Sequence, residues 1–157
     1  MSPSLLMLQA AGRLTEAQRA DLLSVSIHES SHGWIAFASG VPRDAIVLFA
    51  YCNDAGISGK YRLKVPVIDP VARRLIGLAG KIGQALHHRP DIIDADRLFD
   101  MLASGRIPMT ESDLRMADDY GPGDVAACMV AVRRLWPQIE RTAALLVQHA
   151  IDRLPRR

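Results

Sequence analysis

From Thr15 to Gly40 the chain is written as one helix. Thr15-Glu16-Ala17-Gln18 has the form of a capping box, in which a threonine hydroxyl and a glutamine side chain each satisfy a backbone group left unpaired at a helix start. Ala20, Leu22, Leu23, Ile27, Trp34, Ile35 and Ala38 then recur at mostly helical intervals until Gly40. Inside this run lies Ser26-Ile27-His28-Glu29-Ser30-Ser31-His32-Gly33, so the two histidines and the glutamate between them sit on a helix rather than in a loop.

The remaining segments are shorter. Residues 44–51 and 57–67 are β-rich and flank Asn53-Asp54-Ala55-Gly56, which supplies turn chemistry, so a β-hairpin is expected. Asp69-Pro70 opens a helix that Arg89-Pro90 stops after His87-His88. Gly77, Gly80 and Gly83 inside it lower helix propensity and point to close approach of another helix. Further helices are expected from about Asp91 to Ala103, from Thr110 to before Gly121-Pro122-Gly123, and from an Asp124 cap to Leu154 with a kink near Trp136-Pro137. The expected class is mainly α with a small β-hairpin.

Size and charge narrow the function classes. With 157 residues, 49% hydrophobic and 23% charged, the chain builds one core, and a single soluble domain is expected with residues 1–13 as a flexible or loosely docked segment. A net charge of +2, with both signs interspersed, argues against nucleic acid as a partner. Leu5-Leu6-Met7-Leu8 has no basic residue before it and makes a poor signal peptide, and no apolar run approaches the roughly 20 residues of a membrane span. Cys52 and Cys128 form no Cys-x-x-Cys and suit a reducing compartment, so a cytoplasmic location is expected.

His28 and His32 are four apart, which returns them to one helix face, one turn apart, where two imidazole nitrogens can meet one ion. Glu29 is rotated by about 100° and flanks such an ion, the place for a general base toward a water that the ion activates. Zn2+ is the cofactor that this pattern predicts. The alternative is a pair of structural histidines. An open zinc site needs a third protein ligand, and His87, His88, His149 and the acids are candidates.

The segment SIHESSHGWIAFASG resembles the zinc helix of the FtsH family, the membrane-bound ATP-dependent zinc metalloproteases. VPRDAIVLFA and ISGKYRLKVP are similar to that family's strand pair, LIGLAGKIGQAL to its glycine-containing helix, and TESDLRMADDYG to the segment providing the third ligand. The resemblance spans residues 14–154 and implies that His28 and His32 are ligands, Glu29 the base and Asp113 the third ligand. Spacing alone leaves Asp113 a second role, because Thr110-Glu111-Ser112-Asp113 also reads as a capping box. Glu111, Asp118 and Asp119 are fallback ligands. Three departures stand out: there is no glycine-rich phosphate loop for an ATPase, Gln84 replaces the usual acid, and Ser112 replaces the usual asparagine.

The expected function is therefore a zinc-dependent endopeptidase acting on unstructured polypeptide, delivered in some cases by a separate ATPase, with oligomerisation open. Ile57, Gly59, Tyr61 and Leu63 mark the strand along which a substrate would add, although ordinary packing explains the same residues. The alternative function is a non-catalytic metal-binding or peptide-binding module on the same fold. His87-His88 favour the negative end of their helix, His149 reads as a residue of the last helix, and Trp34, Trp136 and both cysteines read as packing residues.

Overall fold

The computed structural model describes residues 14–53, 56–91 and 94–154. The N-terminal segment 1–13 and the turn residues 54 and 55 lie outside the described residues. The protein is mainly helical with one two-stranded antiparallel sheet. Helix α1 (Glu16–Ala38) is followed by a hairpin of β1 (Ile46–Asn53) and β2 (Gly56–Leu63), then α2 (Pro70–His88), α3 (Ala95–Ala103), α4 (Glu111–Met116), α5 (Pro122–Arg134) and α6 (Trp136–Asp152). No helix among the described residues is long and apolar enough to cross a membrane.

Helix α1 starts as its capping box requires, with the Gln18 N–H donating to Thr15 Oγ1 at 3.2 Å and the Thr15 N–H to Gln18 Oε1 at 2.9 Å. It is the hub of the molecule, in contact with α2, α6 and both strands. Enclosure on several sides explains why its middle turns, Ser26 to Gly33, are buried although mostly polar. The main core gathers Ile27, Ile35, Ile76, Leu78, Ile82, Leu98, Val125, Val132 and Ile139; a smaller one joins Leu14, Leu22, Ala50 and Ala150. Trp34 packs at the edge of the main core and donates from Nε1 to Thr142 Oγ1 at 2.9 Å. Trp136 packs against the same core, Cys128 lies inside it, and Cys52 packs against the smaller one.

The expected second strand, 57–67, is shorter in fact and ends at Leu63. One further bond, from the Lys64 N–H to the Ala45 carbonyl at 2.8 Å, closes the ladder, and Pro66 has no N–H with which to extend it. The helix expected from Asp91 begins at Ala95, where Asp94 accepts from the Arg97 N–H at 2.7 Å. The helix expected from an Asp124 cap begins three residues earlier, at Pro122 rather than Val125. Asp124 stands three residues past the Gly121 cap and its carboxylate reaches back to the Gly121 N–H at 2.9 Å. Nor is the C-terminal region one kinked helix: α5 stops at Arg134, and α6 starts with Pro137 in its first turn, where a missing N–H costs nothing.

Helix α2 lies on α1 through its glycines. A Cβ on Gly83 would overlap Ser31, one on Gly80 the His28 and His32 rings, and one on Gly77 the backbone at Ala117. The three glycines thus set the distance of α2 from both α1 and α4.

Candidate metal centre

Two helices bring polar side chains together beneath the hairpin. From α1 come His28 and His32, 8% and 0% exposed, and from α4 comes Asp113, 2% exposed. The His28 and His32 Nε2 atoms are 3.0 Å apart, and Asp113 places Oδ2 3.3 Å from the first and Oδ1 3.3 Å from the second. Thr110 caps α4 by accepting from the Asp113 N–H at 3.2 Å, so the cap uses the backbone of Asp113 and leaves its carboxylate to the imidazoles.

The other ring nitrogens decide the tautomers. His32 Nδ1 lies 2.6 Å from the Ile76 carbonyl, which only accepts, so this nitrogen carries the proton. His28 Nδ1 lies 3.0 Å from Gln84 Oε1. The Gln84 amide is oriented by its Nε2, which donates to the Ser24 carbonyl at 3.3 Å and to Ser24 Oγ at 3.1 Å, so Oε1 accepts from His28. With both Nδ1 atoms protonated, the two neutral rings aim bare Nε2 lone pairs at one point, beside a carboxylate. Such a group of electron-rich atoms in the interior is suited to hold a cation.

Glu29 is the next residue on α1 and 5% exposed. His28, Glu29 and His32 offer ligand atoms that all lie within 4.8 Å of one another, close enough to hold a metal ion. Two carboxylates are therefore within reach, and direction separates them. Asp113 faces both Nε2 atoms, whereas the side chain of Glu29 lies under β2, with Oε2 buried and without a hydrogen-bond partner. A Cβ on Gly59 would stand 2.6 Å from Glu29 Cγ and from Val25, so the missing side chain of Gly59 makes the space that Glu29 occupies.

Burial pushes the Glu29 carboxyl up to about 7; Asp113 adds to this, and His28 and Lys81 oppose it. Burial also lowers His32, against the pull of Asp113, and favours the neutral ring. Burial alone would raise Asp113, but the two imidazoles that face its carboxylate outweigh burial and hold the carboxyl well below the usual range. Tyr61 stacks on the His32 ring, centroids 4.0 Å apart and planes at 21°.

The site opens into a cleft of about 440 Å³ whose lining includes His28, Glu29, Gly59, Tyr61, Leu63 and Asp113. Of the residues expected along the substrate strand, Gly59, Tyr61 and Leu63 line this cleft, and Ile57 packs on the smaller core instead. The other candidates lie elsewhere. Glu111 is exposed and pairs with Arg115 at 3.3 Å, Asp118 and Asp119 are exposed, His88 meets Ser24 Oγ at 3.0 Å, His87 lines a separate hollow with Trp136, and His149 is exposed on α6. Sequence reasoning had no means of finding the Ile76 carbonyl, a main-chain group, or Arg73, whose guanidinium donates to the Val67 and Arg115 carbonyls at 3.4 and 3.3 Å on the cleft wall. No protein-family model and no curated protein matches this chain.

Proposed function

We propose that this protein is a zinc-dependent endopeptidase of the FtsH peptidase type, acting on unstructured polypeptide. The observation that carries this reading is the convergence of two bare Nε2 atoms and the Asp113 carboxylate at 3.0–3.3 Å, with both Nδ1 protons committed elsewhere. Donor atoms around a tetrahedral zinc at about 2.0–2.1 Å stand about 3.3 Å apart, which the spacing here matches. Two imidazoles and one carboxylate also suit zinc better than the hard cations that require all-oxygen cages. His28, His32 and Asp113 would hold the ion, which when bound supplies Lewis acidity toward a carbonyl oxygen and a water.

Glu29 does the proton work. Its free Oε2 is suited to take a proton from the attacking water and to pass it to the departing amine nitrogen. The substrate adds as a strand along the free edge of β2, which borders the cleft. Only chains that are already unfolded, or are fed in by a separate ATPase, reach that edge as extended strands. The order of elements, from zinc helix through strand pair and glycine helix to the third acid, supports the FtsH likeness.

The test is zinc content by emission spectrometry together with cleavage of denatured casein. Wild type is expected to hold one zinc per chain and to cut, and Glu29→Gln to hold the same zinc with activity lower by about 10³-fold or more. A wild type that holds zinc yet cuts nothing that Glu29→Gln spares would overturn the enzyme reading and leave a metal-dependent binding module.

A further inference from the structure

The face of β2 turned away from the site carries cations in a row. Along the strand Gly59 faces Glu29, Tyr61 stacks on His32, and Leu63 packs on the main core, so the alternate positions point outward. These are Lys60 and Arg62, with Lys64 just past the strand, all exposed. On one flank, β1 sets Phe49 opposite Lys60 and Val47 opposite Arg62. On the other flank no strand pairs with β2 among the described residues, and the three cations make no ion pair there. Across the cleft Arg73 is likewise held only by carbonyls.

A strand added at a sheet edge inherits the alternation of its neighbour. Side chains of the added chain that fall beside Lys60, Arg62 and Lys64 stand about 5 Å from them on the same face, while the intervening ones turn down toward Tyr61 and Leu63. Lysine and arginine on an edge discourage pairing with neutral or cationic strands. The same charges favour a strand that brings carboxylates.

Resting on the peptidase reading of the site, we propose that the cleft selects extended segments with acidic side chains at alternate positions and apolar side chains between them. The substrate class is acidic unstructured polypeptide, docked by backbone pairing to β2 and read by the Lys60, Arg62 and Lys64 row.

The experiment uses Glu29→Gln protein, so that bound peptide is not cut, and three labelled peptides alternating valine with aspartate, serine or lysine, followed by fluorescence anisotropy. The aspartate peptide is expected to bind about tenfold more tightly than the serine peptide, with the lysine peptide weakest, because the two pairs opposite Lys60 and Arg62 on the strand proper each contribute roughly a threefold factor. The preference is expected to shrink in about 0.5 M salt. It should invert in Lys60→Glu/Arg62→Glu and vanish in the milder Lys60→Gln/Arg62→Gln. Equal affinity for the three peptides, binding of none of them, or a preference that survives both double variants overturns the proposal. Casein cleavage by wild type reads the peptidase assignment separately: an acidic preference without cleavage sinks that assignment alone, and cleavage without the preference sinks this inference alone.

Discussion

Gln84 makes two demands of one side chain. Its carbonyl oxygen accepts from His28 Nδ1 and its amide donates to Ser24, which a carboxylate at this position could not do. The glutamine thus fixes the His28 ring and ties α2 to α1 together. Gln84→Ala is expected to weaken zinc binding by about 10–100-fold, measured by competition with a chelating dye, with little change in fold. Glu29 carries a different cost. Its carboxyl moves from 4.5 to about 7, so between those values the folded state holds the extra proton and stability falls as pH rises. His32, whose proton affinity is lowered, works in the opposite direction below its ordinary value, so the wild-type profile alone does not isolate Glu29. The difference does: metal-free Glu29→Gln is expected to gain on metal-free wild type through pH 4.5–7, reaching about 3 kcal/mol at pH 8 by urea denaturation. A constant difference across that range would contradict the buried, unpaired carboxyl.

Among the elements, α2 shows how a local preference yields to a tertiary one. Alanine at Gly83 would improve helix propensity by about 1 kcal/mol, but its Cβ would stand 2.9 Å from Ser31 Cβ, closer still to Ser31 Oγ, and that hydroxyl is fixed by its bond to the Ile27 carbonyl at 2.7 Å. Gly83→Ala is therefore expected to destabilise by about 2 kcal/mol in urea titrations, and Ser31→Ala in the same chain to recover part of the loss. What could be read in advance follows the same division. The Thr15, Asp69 and Thr110 caps were legible, since each is settled by a backbone N–H three residues away. The glycines at 77, 80 and 83 announced a close approach but not its partner, because that partner is 36 or more residues distant, in α1 and in α4 with its C-cap. Asp124 was misplaced since Gly121-Pro122 offers an equally good local start, and only the observed bond to Gly121 separates the two. The His28–His32 pairing is written in a four-residue spacing; the arrival of Asp113 between them depends on how α4 docks, and the FtsH resemblance implied it where spacing left it open.

For the molecule as a whole, the centre joins α1 to α4, the shortest α-helix among the described residues. A ligand that binds only the folded state stabilises it by mass action, about 4 kcal/mol when free zinc is 1,000-fold above its Kd, so chelation should lower the melting temperature in calorimetry. That loss will not be shared evenly. Helix α4 is only six residues long, too short to persist by itself, and rests on Gly77 of α2 and on Asp113. After chelation, amide exchange across residues 111–117 is expected to rise by about tenfold or more while the middle of α1 stays protected; uniform exchange would count against it. Under the proposed reading, the shortest α-helix among the described residues is a clasp that the ion fastens, and emptied protein would betray itself by a loosened buckle near residue 113 while the rest of the garment still holds its cut.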